Sequence, residues 1–355
     1  MFESQWFTTA GVCSWNALHR ELLQRFRAAG LMERRAWPHV WRGAAVTVAY
    51  AVGFGIALRA GEWPARLFGL GLAAVAAIQG GMISHDLVHR TVTADRRCAG
   101  WLGQYFMTLL TGQAFGHWEW QHQKHHRYTQ ETASDPDMDV VLIALSEAEA
   151  RKKRGLLRFT TRWQHVLFWP LVTLMVVTIK ANSLAFVIRR RVGADVVGLV
   201  AHGGLWIALP WAVVGWKLAL ASYFIFTWMM GPYAVASFIW NHVGTRVMQP
   251  GERLPFIVQR LECSRNLSSH WALTALFGSL NIHIEHHLAP GIPGPALPRA
   301  RPIFEEFCRE HRLPYREWGY AEAIASVHRH FRAVAETLRE PGVTSPRIPS
   351  PRTVE

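Results

Sequence analysis

Residues 196–243 read VVGLVAHGGLWIALPWAVVGWKLALASYFIFTWMMGPYAVASFIWNHV, and Lys217 is the one Asp, Glu, Lys or Arg among them. A helix needs roughly 20 apolar residues to cross a bilayer. Lys217 follows Gly215 and divides the stretch into two segments of about that length, 196–216 and 218–243. The stretch therefore predicts two membrane-spanning helices joined by a short turn.

A second pair of uncharged runs, 43–58 and 67–84, lies closer to the N-terminus and is joined by the turn-forming sequence RAGEWP. These runs are short, but about 17 residues suffice where the membrane thins locally. A soluble protein with very apolar core helices is the alternative, and uncharged runs of this length disfavour it. We predict an all-α integral membrane protein with two helical hairpins, whose four spans cover about 43–60, 66–84, 196–215 and 218–241.

The chain carries a formal net charge of +13, and its basic residues concentrate before the first span and in the central connection. The two hairpin turns carry few of them, which by the positive-inside rule places both termini and the central connection in the cytoplasm. This distribution favours a bilayer over a nucleic-acid partner. Residues 1–30 lack the apolar core of a signal peptide. We expect a multi-pass protein of a bacterial inner membrane, with one domain over 1–340 and a disordered tail over 341–355.

Eighteen histidines are present, and half of them fall in four short segments next to predicted span ends. His85 and His89 follow the second span at i, i+4 spacing, which stacks both imidazoles on one helix face. The remaining segments are HQKHH at 122–126, WNH at 240–242 and HIEHH at 283–287. The candidate metal ligands are His85, His89, His122, His125, His126, His242, His283, His286 and His287.

Adjacent histidines indicate two metal ions rather than one. On a helix His122 and His126 share a face, whereas His125 and His126 diverge by about 100°. Nine imidazoles exceed what one ion can bind, and neutral imidazole suits Zn, Cu, Fe and Ni. A structural zinc site in a non-catalytic receptor or transporter would use about four ligands, so the number of candidates disfavours that alternative.

Residues 163–188 are apolar enough to span a membrane but contain Gln164, His165, Pro170 and Lys180. A crossing there would place His242 and the HIEHH segment on the opposite side from His85. Ligands of one site must lie on one side of the membrane. We therefore predict that 163–188 forms a helix that lies at the interface or packs beneath a cytoplasmic helical cap that holds the metals.

The histidine segments, taken in order, resemble those of the histidine-box integral-membrane fatty acid desaturases and related hydroxylases. HDLVH (85–89), HQKHH (122–126) and HIEHH (283–287) match the three boxes of that family, and HHRYTQETASDPD, WNH and NIHIEHHLAPGIP match their flanking sequences. The match covers roughly residues 78–298. His283 stands where front-end desaturases usually have Gln, so the chain looks nearer to other branches.

The resemblance implies two non-haem iron ions, O2 as co-substrate, and removal of hydrogens from adjacent carbons of a fatty acyl chain. Acceptors for the outer N–H groups of the ligating imidazoles are expected nearby, and the candidates are Asp86, Asp135, Asp137, Asn241 and Glu285. Neither an HPGG haem motif nor a cysteine-rich module is present, so electrons are expected from a separate donor of ferredoxin, rubredoxin or cytochrome b5 type.

Other reactions remain open on the same ligand set. A hydroxylase, a carotenoid ketolase or hydroxylase, and an alkene-forming fatty acid decarboxylase would use the same histidines. Histidines outside the boxes are interpreted as structural or as surface residues, and His39, His328 and His330 are among those assigned to the surface.

Overall fold

The computed structural model describes residues 12–268 and 270–339. Within these ranges nearly all regular structure is helical, which confirms the predicted all-α class. The helices in chain order are α1 (Val12–Ala28), α2 (Ala36–Arg59), α3 (Trp63–Val88), α4 (Arg96–Gly103), α5 (Phe115–Tyr128), α6 (Glu147–Lys152), α7 (Gly155–Arg162), α8 (Gln164–Arg190), α9 (Gly193–Gly203), α10 (Leu209–Val214), α11 (Trp216–Ala236), α12 (Ile239–His242), α13 (Phe256–Cys263), α14 (Trp271–Leu276), α15 (His283–Leu288), α16 (Leu297–Glu310) and α17 (Tyr320–Glu336).

The remaining regular elements are short. Two strands, β1 (Asn266–Leu267) and β2 (Glu317–Trp318), pair in parallel. π-helical turns continue α4 over Gln104–Leu109 and join α9 to α10 over Gly204–Ala208, and 3-10 turns lie at Pro136–Met138 and Gly294–Ala296.

Five helices in the described ranges are long and apolar enough to cross a membrane. They are α2, α3, α8, the continuous segment Gly193–Val214, and the segment Trp216–His242. Four of them coincide with the predicted spans. Helices α2 and α3 extend at both ends beyond the uncharged runs, into flanking polar and aromatic residues. The fifth, α8, coincides with the predicted interfacial helix.

Close backbone contact holds the first hairpin together. A Cβ on Gly53 would lie 2.6 Å from the Ala73 amide nitrogen, and one on Gly69 would lie 2.6 Å from the Ala57 amide nitrogen. Small residues at such contacts let membrane helices approach and pack tightly. The second hairpin turns at Gly215, whose φ of 83° favours glycine.

Helix α8 packs along α11 and begins in the cap. The Gln164 amide donates to the Phe331 carbonyl of α17 at 3.3 Å. Further along, a Cβ on Gly231 of α11 would lie 2.6 Å from the Val172 carbonyl oxygen. Lys180 Nζ donates to Thr227 Oγ1 at 2.9 Å. Length and composition alone give α8 the character of a span, and the predicted four-span topology stays a prediction.

Most of the other helices pack around the ends of α3 and α11, and we call this assembly the cap. Helix α4 and the π-helical turn after it pack instead against α2, α3 and α9. One apolar core joins α1, α13, α15 and α16 and contains the buried side chains of Phe26, Leu288, Phe304 and Phe307. A second core packs Phe331 of α17 against α8 and α12. The predicted tail over 341–355 lies outside the described residues.

Candidate metal centre

Four elements from distant parts of the sequence deliver the nine predicted histidines to one place in the cap. His85 lies in the last turn of α3 and His89 directly follows that helix, α5 carries three histidines, α12 ends at His242, and α15 carries the HIEHH segment. The nitrogens fall into two groups. Cluster A contains His85, His89, His122, His126 and His286, and cluster B contains His125, His242, His283 and His287.

In cluster A all five Nε2 or Nδ1 donor atoms lie within 4.8 Å of one another. His286 Nε2 is 3.1 Å from His85 Nε2 and 3.0 Å from His126 Nε2. The Nε2 atoms of His89 and His122 are 2.8 Å apart. Two nitrogens bound at about 2.1 Å to one ion and separated by a right angle would be about 3.0 Å apart, so these spacings fit ligands that share an ion.

Cluster B converges on His242. Its Nε2 lies 2.7 Å from His283 Nε2, 3.1 Å from His125 Nε2 and 3.2 Å from His287 Nε2. The two clusters adjoin, because the rings of His126 and His287 stack with centroids 4.3 Å apart. As the helical geometry predicts, the adjacent pairs His125/His126 and His286/His287 divide between the clusters.

Hydrogen bonding at the outer nitrogens shows that cluster B suits a cation. The Nδ1 atoms of His242 and His283 each lie 2.9 Å from a carbonyl oxygen, of Cys263 and Leu280 respectively. A carbonyl only accepts, so both Nδ1 atoms carry hydrogen and both Nε2 atoms of the neutral rings present lone pairs. Lone pairs 2.7 Å apart repel unless an electron-pair acceptor lies between them. The geometry therefore fits a bound metal ion.

Burial keeps most of these imidazoles neutral, as metal ligation requires. It holds the pKa values of His122, His126, His283, His286 and His287 well below the usual value, and neighbouring imidazoles lower them further. Neutral rings keep a lone pair for an ion. These five side chains are thus ready to bind a metal at neutral pH.

His125 is the exception, because two carboxylates lie beside it. Burial lowers its pKa, but Asp135 and Asp137 outweigh that effect and raise the pKa to about 9. Asp135 accepts from His125 Nδ1 at 2.9 Å and also from the backbone N–H groups of Gln130 and Asp137. Such a carboxylate fixes the ring and increases its basicity. Asp137 lies farther from Nδ1, at 3.4 Å.

Asp86 occupies a similar position behind cluster A. Its Oδ1 lies 3.4 Å from His85 Nδ1, and its Oδ2 accepts from His39 Nε2 at 2.6 Å and from the Gly294 amide at 3.1 Å. His39 in turn donates from Nδ1 to the Arg35 carbonyl at 2.8 Å. The interpretation of His39 as a surface residue is therefore wrong, since the side chain is buried behind the metal centre.

Glu285 and Asn241 were expected to accept hydrogen bonds from the outer N–H groups of ligating imidazoles, and the structure places them elsewhere. Within the described residues neither makes a hydrogen bond to an imidazole of the two clusters. Glu285 is fully buried, accepts from Asn266 Nδ2 at 2.7 Å and has a pKa raised by burial to about 7. Asn241 donates to the Arg265 carbonyl at 3.2 Å. The two side chains therefore hydrogen-bond Arg265 and Asn266, just before and at the start of β1, and not the imidazoles.

Two residues that the sequence did not single out hold the histidine-bearing turns. Asn266 Oδ1 accepts from the backbone N–H groups of His283 and Ile284, at 2.7 and 2.9 Å, and so caps α15. Arg265 donates from Nε to the Trp240 carbonyl at 2.6 Å and from its guanidinium to the Val243 carbonyl, which holds α12. The polar pair Arg265-Asn266, between the last predicted span and the HIEHH segment, was the available signal.

The other histidines have structural surroundings. His330 was interpreted as a surface residue, but it is buried and hydrogen-bonds the Leu145 carbonyl at 2.8 Å, so that interpretation is wrong. His328 is half-buried and bonds the His165 carbonyl. His117 is buried against Phe186, and its ring lines the cavity described next.

A cavity of about 240 Å³ runs from the two clusters into the helical bundle. Histidines of both clusters line one part of it. Away from them the wall is formed largely by aliphatic and thioether side chains of α8 and α11, including Met175, Val176, Ile179 and Met230. The cavity is therefore suited to a hydrocarbon chain that reaches the imidazoles.

A family model described as fatty acid desaturase matches residues 61–319, which include all nine histidines. The chain belongs to the fatty acid desaturase family. Membership confirms the prediction of a fatty acid desaturase made from the histidine boxes. The match begins in the α2–α3 turn and ends after β2, so it covers α3, the second hairpin and the metal centre but not α2.

Curated relatives of this family member carry desaturase names. Over 268 residues it is 28% identical to the acyl-lipid 8-desaturase of Rebecca salina. The aligned region covers 72% of this chain and 60% of that protein. It is 25% identical to the Delta(8)-fatty-acid desaturase 2 of Arabidopsis thaliana, over 91% of this chain and 75% of the relative. The acyl-lipid (8-3)-desaturase of Rebecca salina is 27% identical over 89% of this chain and 74% of its own length. These names assign no branch to this chain, and the inference from His283 stays a prediction.

Proposed function

We propose that this family member is an O2-dependent di-iron oxidoreductase that introduces a double bond into a fatty acyl chain. The observation that carries the proposal is the convergence of nine imidazoles into two adjacent clusters at the end of an apolar cavity. In this proposal cluster A holds one iron and cluster B the other.

The two irons, when bound, would supply the redox chemistry: one O2, two electrons and two protons, with two hydrogens from adjacent carbons, yield the alkene and two waters. The residues of the chain have three other tasks. Asp86 and Asp135 orient His85 and His125 through their Nδ1 atoms. Asn266 and Arg265 fix the turns that present His283 and His242. The apolar wall aligns a hydrocarbon and excludes water from the reacting carbons.

A structural zinc site in a non-catalytic protein accounts for fewer of the observations. Structural zinc is almost always bound by four ligands in a closed tetrahedron. Cluster B has four imidazoles, but cluster A has five and both clusters line the cavity through some of their members. An open, histidine-rich pair of sites suits O2 chemistry better.

Two further parts of the proposal concern the surroundings of the enzyme. Electrons come from a separate donor of ferredoxin, rubredoxin or cytochrome b5 type, and the cap with its metal centre faces the cytoplasm. The concentration of Arg and Lys in the central connection supports this orientation. The substrate is a fatty acyl chain embedded in or delivered from the bilayer.

Expression in a bacterial host, followed by profiling of fatty acid methyl esters, tests the proposed function. We expect new unsaturated species with the wild type and none with His286→Ala, because His286 contacts two other imidazoles of cluster A. His328→Ala is the matched control and should retain nearly full activity. Unchanged acyl chains together with consumption of carotenoids or free fatty acids would contradict desaturation in favour of another oxidation on this scaffold.

A further inference from the structure

Lys180 places its amine in the wall of the apolar cavity. It lies on α8 among aliphatic neighbours, and its Nζ donates to Thr227 Oγ1 at 2.9 Å and Tyr223 Oη at 3.2 Å. The ammonium also lies 4.6 Å from the centre of the Tyr223 ring. No carboxylate of the described residues comes within ion-pair distance of it. Nζ has three donors, and these two hydroxyl acceptors leave one for a further partner.

Such a lysine is costly in a membrane protein unless it has a role. Burying a lysine among apolar side chains is costly unless its amine finds hydrogen-bond partners. Intramembrane cations usually face a protein interior and mark a ligand pathway. Two hydroxyls and an aromatic face offset part of the cost without neutralising the charge.

The polar groups near Lys180 lie at one part of the cavity and the histidines at another. Asn182, Gln113 and Thr178 line the cavity together with Lys180. Met175 on α8 lies between Lys180 and the cap end of that helix, and Met230 on α11 lies between Thr227 and His242. The cavity thus has a cationic, hydrogen-bonding region, an apolar middle and a histidine-lined region. This order matches an amphiphile with an anionic group on a hydrocarbon chain.

We propose that Lys180 is the binding site for an anionic oxygen group of the acyl substrate, either the carboxylate of a free fatty acid or the phosphate of a phospholipid. The inference rests on the proposed function in that the hydrocarbon of the same ligand extends to the clusters. Lys180 fixes one end of the chain, and the length of cavity between Lys180 and the histidines selects the carbons that react.

Ligand binding to the purified, full-length protein tests this assignment without any need for turnover. Sodium hexadecanoate, methyl hexadecanoate and dipalmitoyl phosphatidic acid are each titrated, with thermal unfolding and displacement of a fluorescent fatty acid as readouts. Lys180→Met removes the charge at nearly constant volume, and Lys180→Arg retains it. Lys217→Met is the matched control, because Lys217 lies at the exposed start of α11 and outside the cavity.

We expect Lys180→Met to bind one or both anionic ligands at least about 10-fold more weakly than the wild type, since a charge-assisted hydrogen bond is lost. Methyl hexadecanoate should bind both proteins equally, and Lys217→Met should behave as the wild type. The anionic ligand that binds more weakly to Lys180→Met shows whether Lys180 binds a fatty acid carboxylate or a phospholipid phosphate. Without ligand, Lys180→Met should melt no lower than the wild type, because it removes an uncompensated cation.

Two results would overturn the assignment. One is equal binding of all three ligands by wild type and Lys180→Met. The other is a ligand-free Lys180→Met protein that melts well below the wild type while both proteins gain equally from hexadecanoate, which would make Lys180 structural. Absence of binding of every ligand to the wild type would contradict the assignment and leave the proposed function to be judged by fatty acid profiling, so the two failures are distinguishable.

Discussion

At the residue scale, the metal centre depends on how each imidazole is held from behind. His125 and His85 use carboxylates for this purpose, whereas His242 and His283 use backbone carbonyls. Either kind of partner fixes the tautomer and orientation of the ring and raises its basicity, and a carboxylate also brings a negative charge. Loss of Asp135 should therefore affect metal binding strongly.

Asp135→Asn is expected to lower metal affinity or activity by about 10- to 100-fold, the usual effect of losing such a partner. Metal titration of the metal-free protein and fatty acid profiling measure the two effects. Asp139→Asn is the control, since Asp139 lines the cavity and the hydrogen bonds to the clusters come from other residues. Equal affinity of Asp135→Asn and wild type would show that Asp135 does not support His125.

His39 provides a second test at this scale, because its loss would leave Asp86 without its shortest hydrogen bond. His39→Ala should reduce the free energy of unfolding by about 1–3 kcal/mol, the cost of a buried group left unsatisfied. Thermal or denaturant unfolding measures the change, with the exposed Arg162→Ala as control. A decrease in the free energy of unfolding no larger than that of the control would contradict a buried, supporting role for His39.

At the element scale, the sequence predicts the candidate metal ligands better than the residues that hold those ligands in place. The nine histidines were visible because helices place neighbours at three- and four-residue spacing, so each group of ligands forms a short motif. His39, Arg265 and Asn266 act on residues in other elements through tertiary contacts. Such contacts join residues that are far apart in the sequence, so the spacing within a short motif does not predict them. The helix bounds likewise extend beyond the uncharged runs, since a helix continues through polar flanks.

The α2–α3 hairpin supplies a prediction about packing. Gly53→Val would force a side chain against the backbone of Ala73 and Gly69, and overpacking of this kind typically costs 1–3 kcal/mol or more. Gly55→Val is the matched control, since a Cβ there meets nothing within 4 Å. We expect a lower melting temperature and lower yield for Gly53→Val alone. Similar melting of both variants would mean that the helices do not pack as described.

At the scale of the whole molecule, the site constrains the topology. His85 ends one candidate span and His242 ends another, and their clusters adjoin. An even number of crossings must therefore separate them. The candidates between them are three, α8, the segment Gly193–Val214 and the segment Trp216–His242. Three full crossings would separate the two clusters, which supports the prediction that α8 lies at the interface or packs beneath the cap instead of crossing.

Cysteine labelling of intact cells can test that topology in a cysteine-free background. Gly61→Cys, in the first hairpin turn, should react with an impermeant reagent from outside. Gly193→Cys, directly after α8, should react after the cells are opened and not before. Labelling of Gly193→Cys from outside would mean that α8 crosses the membrane.

The metal content of the purified protein tests the central claim most directly. We expect about two irons per chain, bound by clusters A and B, and a loss of iron from His286→Ala while His328→Ala keeps it. One zinc per chain with no iron would contradict the account, because it would leave the five imidazoles of cluster A without a metal.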